Sequence, residues 1–294
     1  MSTAMNFHKK VEETCIYALM EEVAATPKPG LVDTLNNGAH KDMDYFTFIA
    51  SIDAIGPYFS KFAQAGSELN RVDNTTLERL RPLGLQCEKA MLEATKGINT
   101  HKGAIFSLGI LAASAGYCKR SFEYITAENV CSISEKIGKA ALMDFEKDVN
   151  GNSITNGQRI FNEYGIKGVR GEAASGFASV RKHALPIMRD FFSTNKYEKN
   201  DIYIQVLLNL MCNVVDTNVI ARKGLEAVQF VQNTVAEVLR LGGAFTREGS
   251  KKLLELDREY IRRNISPGGC ADLLSVAIFL HSLEKSDFEG EDDI

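Results

Sequence analysis

Apolar residues recur at helical spacing along almost the whole chain. Val11, Cys15, Leu19 and Val23 fall on one helical face, which predicts a first element from about His8 to Ala25. Tyr45–Phe62 follows with Phe48, Ile49, Ile52 and Ile55 inward, and Gly56-Pro57 is expected to kink or break it. Thr75-x-x-Glu78 has the form of a capping box opening a helix to about Ala94. Further helical patterns cover about Lys102–Cys118, Ala127–Phe145, Thr155–Tyr164 and Glu172–Phe192, with a bend expected at Pro186. Later ones cover Asp201–Val215, Gly224–Leu241, Arg247–Arg263 and Gly269–Leu283. The best alternating run, Asp201–Val206, continues into a helical pattern. The expectation is an all-α fold, a single compact multi-helix domain of about ten or eleven helices.

Composition narrows this picture. The 294 residues suit one large domain or two small ones. No internal repeat or low-complexity linker divides them. One domain over residues 1–285 is therefore expected, with Asn150–Ser153 a loop and Ser286–Ile294 an acidic, disordered tail. Hydrophobic residues make up 45%, enough for a core. With 34 Lys plus Arg against 38 Asp plus Glu the net charge is −4, which argues against general DNA or RNA binding. It leaves open a phosphorylated small molecule, for which local fields matter more. The start, MSTAMNFHKKVEETC, lacks an apolar signal region, and no window reaches the apolar length of a membrane span. Cys15, Cys87, Cys118, Cys131, Cys212 and Cys270 form no C-x-x-C pair. They are expected to be free thiols, most of them in the core, and the protein to be cytoplasmic, with no membrane or nucleic-acid partner.

The candidate chemistry lies in the connections. Thr26–Asp33, Asn36–Asp44, Asn99–Gly103, Gly168–Gly176, Asp216–Asn218 and Asn264–Asp272 combine Gly, Pro, Asn and charged residues densely. Bundle loops usually need only a cap and a glycine, so loops equipped like this beside helix starts suggest one shared site. Pro27 and Pro29 stiffen the backbone around Lys28, holding an ammonium suited to phosphate. Lys102 opens a helix whose free N–H groups form an anion site. Glycines around Arg170 and Glu172 let backbone approach a ligand, with a guanidinium fork and a carboxylate beside it. Ser266-Pro267-Gly268-Gly269 starts the last helix, and Asp272 lies in its first turn. Asp33, Asp42, Asp44, Asp216 and Asp272 are candidate oxygen ligands for Mg²⁺.

Plainer readings stand beside these. Asp42 or Asp44 is also a natural cap for the helix at Tyr45, and Asp216-Thr-Asn218 also reads as a helix-ending turn. Gly268-Gly269 alone is more often a turn than a phosphate cradle, and His40 or His101 alone more often structural than catalytic. His8, His183 and His281 read as structural. A P-loop, a G-x-G-x-x-G in strand context, an H-E-x-x-H, a His-Asp metal dyad and an Asp-Asp-x-x-Asp run are all absent. Any nucleotide site must use an unusual all-helical framework.

These same segments resemble the triphosphoribosyl-dephospho-CoA synthase family. The likeness rests on Glu22-Val-Ala-Ala-Thr-Pro-Lys-Pro-Gly-Leu-Val-Asp33, Asn37-Gly-Ala-His-Lys-Asp-Met-Asp44 and Asn99-Thr-His-Lys-Gly-Ala104. It continues in Thr155-Asn-Gly157, Gly168-Val-Arg-Gly-Glu-Ala-Ala-Ser-Gly-Phe177, Asp216-Thr-Asn218 and Ser266-Pro-Gly-Gly-Cys-Ala-Asp272. The chain begins just before the first block, so no fused transferase domain is expected.

The resemblance implies an enzyme that joins ATP to 3′-dephospho-CoA and releases adenine, with Mg²⁺ on the triphosphate. Its product is the prosthetic-group precursor that a separate transferase places on the acyl carrier subunit of citrate lyase or malonate decarboxylase. The wording of Asn37–Asp44 is closer to the citrate lyase branch. Such a glycosyl transfer needs a carboxylate near an oxocarbenium-like centre, a base for the attacking hydroxyl and an acid for adenine. On this reading Asp33, His101, Glu172 and Asp216 are the expected catalytic groups, and Asp33, Asp42, Asp216 and Asp272 the metal ligands. Substrate contacts are expected from Lys28, Asn37, His40, Asn99, Lys102, Gly103 and Asn156, and from Arg170, Gly171, Ser175, Asn218, Ser266, Gly268 and Gly269. A Mg²⁺-dependent hydrolase of a nucleotide or ADP-ribosyl compound, and a non-catalytic helical adaptor, are the alternatives.

Overall fold

The computed structural model describes residues 3–147 and 155–288. The expected loop Asn150–Ser153 and residues 289–294 of the expected tail lie outside them. The chain begins with α1 (Thr3–Ala24), α2 (Tyr45–Ser67), α3 (Thr76–Ala94) and α4 (Lys102–Ser121). α5 (Ala127–Gly138) runs through a 3-10 turn into the short α6 (Asp144–Lys147). Then come α7 (Asn156–Tyr164), α8 (Gly168–Ala174), α9 (Ala178–His183), α10 (Leu185–Thr194) and α11 (Lys199–Asn213). α12 (Thr217–Lys223), α13 (Glu226–Arg240), α14 (Arg247–Arg263) and α15 (Gly268–Phe288) complete it. No strand occurs among the described residues. The all-α expectation holds, with more helical segments than the ten or eleven expected.

The extra segments have local causes. The pattern over Glu172–Phe192 does not form one bent helix. Gly176 and Phe177 take left-handed backbone, with φ of +65° and +55°, and separate α8 from α9. Left-handed geometry costs a side-chain-bearing residue about 1–2 kcal/mol. Phe177 is fully buried, which offsets that with about 1.5–3 kcal/mol. Pro186 then sits in the first turn of α10, where a missing N–H is harmless. Ala127–Phe145 is likewise broken, by the 3-10 turn Lys139–Met143. Pro57, by contrast, does not break α2. It and Asp53, whose carbonyl it leaves without a donor, are both exposed, so water can serve that carbonyl. The capping box at Thr75 does not form: Thr75 caps nothing with its side chain. Asp73 instead accepts from the N–H and hydroxyl of Thr75, at 2.9 and 2.7 Å. The last helix continues through Phe288, past the expected start of the tail at Ser286.

α2 and α4 form the tightest helix pair. A Cβ on Gly66 would stand 1.8 Å from the Ala113 carbonyl oxygen, and one on Gly116 would stand 1.9 Å from that of Ala63. The two backbones thus touch reciprocally through Ala63/Gly66 and Ala113/Gly116. At the other end of the pair Ser51 meets His101, so the helices run parallel. α1 runs against them: His8 feels the charge of Glu68, and Ile16 packs on Gly56. α15 starts beside the start of α4, where Asp272 presses on Gly103. One end of the bundle therefore gathers the C-terminus of α1 and the N-termini of α2, α4 and α15.

A methyl at Gly66 or Gly116 is expected to cost about 1–3 kcal/mol through backbone separation. Gly→Ala in an open helix would instead gain up to about 1 kcal/mol. Urea unfolding of Gly66→Ala and Gly116→Ala reads the sign directly. Stabilisation by either would show that the backbones do not touch.

Candidate active site

The connection between α1 and α2 is built around two carboxylates. Asp33 is buried and accepts four hydrogen bonds from its own loop. Thr26 Oγ1 and Lys28 N–H donate to Oδ2, each at 2.9 Å, and Leu35 and Asn36 N–H donate to Oδ1 at 2.7 and 3.0 Å. Asp257 of α14 fixes the same loop from outside. Its two oxygens accept from Gly30 N–H and Asn36 Nδ2, both at 2.9 Å. The loop thereby lies against Ile265, whose carbonyl oxygen would be 2.1 Å from a Cβ on Gly30. Gly30 also has a φ of +71°, so both space and backbone demand glycine there.

Two further carboxylates tie helix starts together. Asp216 caps α12 by accepting from Asn218 N–H at 2.7 Å and Val219 N–H at 3.3 Å. Its other oxygen accepts from Cys270 N–H of α15 at 2.8 Å. The expected helix-ending turn is thus a helix start. Gly269 lets this happen, since its Cβ would be 3.1 Å from the Asp216 carboxylate. Gly268 is pressed in the same way by Asn218 Nδ2, at 2.8 Å from its would-be Cβ. Asp272 reaches from α15 to the start of α4, where the Ala104 N–H pulls against the rise of its carboxyl. A Cβ on Gly103 would stand 2.0 Å from Asp272 Oδ2. The start of α8 joins the group, with Gly168 against Thr217.

Burial sets the electrostatics. Burial first, then the charges of Glu22 and Asp216, push the Asp272 carboxyl well above the usual range. Burial also raises Asp216, against the pull of its N–H donors. Glu22 is raised by burial although Lys28 opposes it. Lys28 is not a free ammonium: it is 1% exposed and its Nζ donates to the Glu22 carboxylate and carbonyl. His101 is pushed down to about 3 by burial and then by Lys28. It is therefore neutral at physiological pH and a poor acid or base. His40 falls to about 4, through burial and then Arg222. Arg222 Nη2 lies 3.1 Å from His40 Nδ1 and 3.3 Å from Nε2, and Nε2 lies 2.9 Å from Ser266 Oγ. Arg222 also lines a cavity of about 220 Å³ between α7 and α12.

Several expected site residues stand apart from this group. Asn37 is exposed on the same loop. Lys102 pairs with Glu88 of α3, and Asn99 caps Lys102 N–H at 3.2 Å. Asp42 is 64% exposed at the rim, 3.9 Å from His40, and Asp44, not Asp42, caps α2. Arg170 lies 4.8 Å over the Phe145 ring and 3.9 Å from Asp144. Asn156 is exposed at the start of α7 and accepts from Arg159 at 3.3 Å. Gly171 packs on Lys167. Ser175 caps Ala178 N–H at 3.2 Å. Glu172 accepts from Ser179 Oγ at 2.6 Å and is raised by burial. The four Asp residues expected to bind Mg²⁺ do not converge. Among the described residues no group of three or more His, Cys, Asp or Glu is arranged to hold a metal. The reason is visible in their partners: Asp33 and Asp216 spend their oxygens on backbone N–H groups, and Asp42 faces solvent.

Other contributors carried little sequence signal. Arg222 lies in α12, a segment where no helix was expected, and Asp257 and Ser51 lie inside ordinary helical patterns. Their roles depend on partners 182, 227 and 50 residues away. Glu22 stood in a quoted motif, but only its burial against Lys28 marks it.

Comparison with known proteins places this arrangement. Residues 8–289 match the family described as ATP:dephospho-CoA triphosphoribosyl transferase. A 2-(5″-triphosphoribosyl)-3′-dephosphocoenzyme-A synthase from Pectobacterium atrosepticum is 40% identical over 92% of this chain and 88% of its own. The corresponding synthase from Klebsiella pneumoniae is 41% identical over 90% of this chain and 87% of its own. A crystal structure from Archaeoglobus fulgidus, described as a candidate for the same synthase, shares the fold. Its TM-score is 0.50 at 18% identity, covering 80% of this chain and 98% of that one. The chain belongs to the ATP:dephospho-CoA triphosphoribosyl transferase family.

Proposed function

We propose that the polar end of the bundle transfers the 5-triphosphoribosyl group of ATP to the 2′-hydroxyl of 3′-dephospho-CoA and releases adenine. The observation that carries this reading is the 40–41% identity to synthases over at least nine-tenths of the chain. In the transfer the ribose C1′–N9 bond breaks and a C1′–O2′ bond forms. The hydroxyl proton passes to a carboxylate, and adenine leaves carrying a proton from an acid. No phosphate bond is touched, so the site must grip the triphosphate without activating it.

The roles follow from the surroundings of each group. Asp216 is buried and Asp272 half-buried, and both are raised in proton affinity at the helix starts. They are the carboxylates best suited to take the proton and to face a developing oxocarbenium charge. Glu172, also raised by burial, is the candidate acid for adenine. Asp33, filled by its own loop, is a loop organiser more than a base. His40, Gly103, Asn218, Ser266, Gly268 and Gly269 are assigned to the anion-binding end, with Lys28 and His101 buried within it. Asn37, Asn99, Lys102, Asn156, Arg170, Gly171 and Ser175, which stand apart from that end, are assigned to the second nucleotide.

Mg²⁺ is expected to arrive with the triphosphate. It commonly keeps several waters and takes one or two carboxylates plus phosphate oxygens. Asp272 suits that donor set better than Asp216, whose oxygens are taken by backbone N–H groups, and a resident three-ligand site does not fit the described residues. The product would pass to a separate transferase acting on the acyl carrier protein of citrate lyase or malonate decarboxylase. A reducing, cytoplasmic setting suits six free cysteines. No single described helix is long and apolar enough to cross a membrane.

Chromatography of reactions with ATP, Mg²⁺ and dephospho-CoA tests the reading. Adenine is expected only with both nucleotides present. Adenine or phosphate released without dephospho-CoA would mean a hydrolase. Asp216→Asn is expected to lower turnover by roughly 10²-fold or more, and near-normal turnover would remove Asp216 from the chemistry. A depressed histidine pKa means that His101 is neutral from about pH 5 upward. The kcat profile should therefore show no inflexion near 6.5 that disappears in His101→Gln. Finding one would restore His101 as the acid or base.

A further inference from the structure

We propose that the cavity between α7 and α12 binds the diphosphate and the adjoining pantetheine arm of dephospho-CoA, with Arg159 and Arg222 on the phosphates and Tyr164, Ile160, Ile220 and Ala221 along the carbon chain. The inference rests on the transferase reading of this chain and gives its second nucleotide a place in the fold.

The cavity holds about 220 Å³. That is below the roughly 300–1,000 Å³ of a pocket that encloses a whole ligand, so it suits one segment of a longer molecule. Its wall is mixed. Ile160 and Ile220 are buried apolar residues, and Tyr164 adds a half-exposed ring. The Arg159 and Arg222 guanidinium groups, against the single Glu163 carboxylate, leave the wall net positive. Positive charge beside aliphatic surface suits a phosphate joined to a carbon chain. Inorganic phosphate would leave the apolar wall wet, and a wholly apolar ligand would draw nothing from the two cations. The triphosphate of ATP carries no carbon beyond its last phosphate, whereas the diphosphate of dephospho-CoA continues into pantetheine.

The two arginines differ in how they are held. Arg222 is preset: Nη1 donates to the Ala39 carbonyl at 3.2 Å and to Asn264 Oδ1 at 3.0 Å, and Nη2 meets His40 at 3.1 Å. Those contacts leave two of its five N–H groups for a ligand. Arg159 is looser. Among the described residues its guanidinium donates to Asn156 Oδ1, at a long 3.3 Å, and is in no ion pair. The position also fits. Arg222 is shared with the polar end, because His40 Nε2 lies 2.9 Å from Ser266 Oγ just before α15. In dephospho-CoA the attacking 2′-hydroxyl and the diphosphate stand on the same ribose, at C2′ and C5′. A diphosphate site must therefore adjoin the reacting end while lying to one side of it, as this cavity does.

Two measurements on the full-length chain decide the matter. The chain has no Trp, so Tyr164→Trp places a single indole on the cavity wall. Its emission is expected to shift on titration with dephospho-CoA and to stay unchanged with adenosine or inorganic tripolyphosphate. No response to dephospho-CoA, or an equal response to tripolyphosphate, overturns the proposal. The second is steady-state kinetics of Arg159→Ala, a change at an exposed residue. KM for dephospho-CoA should rise about tenfold, with KM for ATP and kcat within about twofold. Glu163→Gln, which removes the opposing carboxylate, should lower the same KM. An unchanged KM for dephospho-CoA in Arg159→Ala, a KM for ATP that rises in step, or a rise in both variants overturns it equally. If the wild-type protein releases no adenine with both nucleotides present, the transferase reading fails, while the emission of Tyr164→Trp still tests the cavity.

Discussion

The backbone contact between α2 and α4 is the constraint on which the site depends. Each helix places a carbonyl where the other would otherwise carry a methyl. Two parallel helices held at that spacing cannot slide past one another, so their N-termini stay level. Level N-termini put Ser51 within reach of His101 and leave the start of α4 open to Asp272. The connection between the two helices needs α3 to travel back, and Cys87 of α3 lies against the Ile55 carbonyl on the way.

The polar end is assembled by carboxylates acting as brackets. Asp33 folds a loop on itself, Asp257 pins that loop to α14, Asp216 joins α12 to α15, and Asp272 joins α15 to α4. Each bracket accepts backbone N–H groups that the helix and loop starts leave free. Burying so many acids with one buried lysine is expensive. The structure carries the cost as raised proton affinity on Glu22, Asp216 and Asp272. A net charge of −4 therefore says little about this end, where helix starts and Lys28 set the local field.

Much of this was legible in the sequence. Period-3.6 patterning gave Arg247–Arg263 to the residue and the other long helices nearly so, because an amphipathic face leaves a direct trace. The breaks at Phe177 and after Gly138 were not legible, since both depend on what packs there from elsewhere in the chain. Loop composition singled out Asp216, Asp272, His101 and the glycines, which the fold gathers at one end of the bundle. It could not tell a metal ligand from a cap, because an aspartate beside a helix start looks the same in both roles. It also read Lys28 as an ammonium held for phosphate, when the stiff Pro27–Pro29 segment delivers it into Glu22. Ser51 was invisible because nothing in a regular helix announces a partner from another part of the fold, and Arg222 because the short α12 left no pattern of its own.

The reciprocal glycine crossing has one more consequence. Side chains at an ordinary helix interface act as adjustable spacers, and swapping them tunes the width of a neighbouring cleft. Here the spacer is the peptide backbone itself, already at its minimum. The gauge between α2 and α4 can be widened by added atoms but not narrowed. Any change in the spacing of the polar end must therefore come from its connections, above all Thr26–Asp44, and not from the two helices.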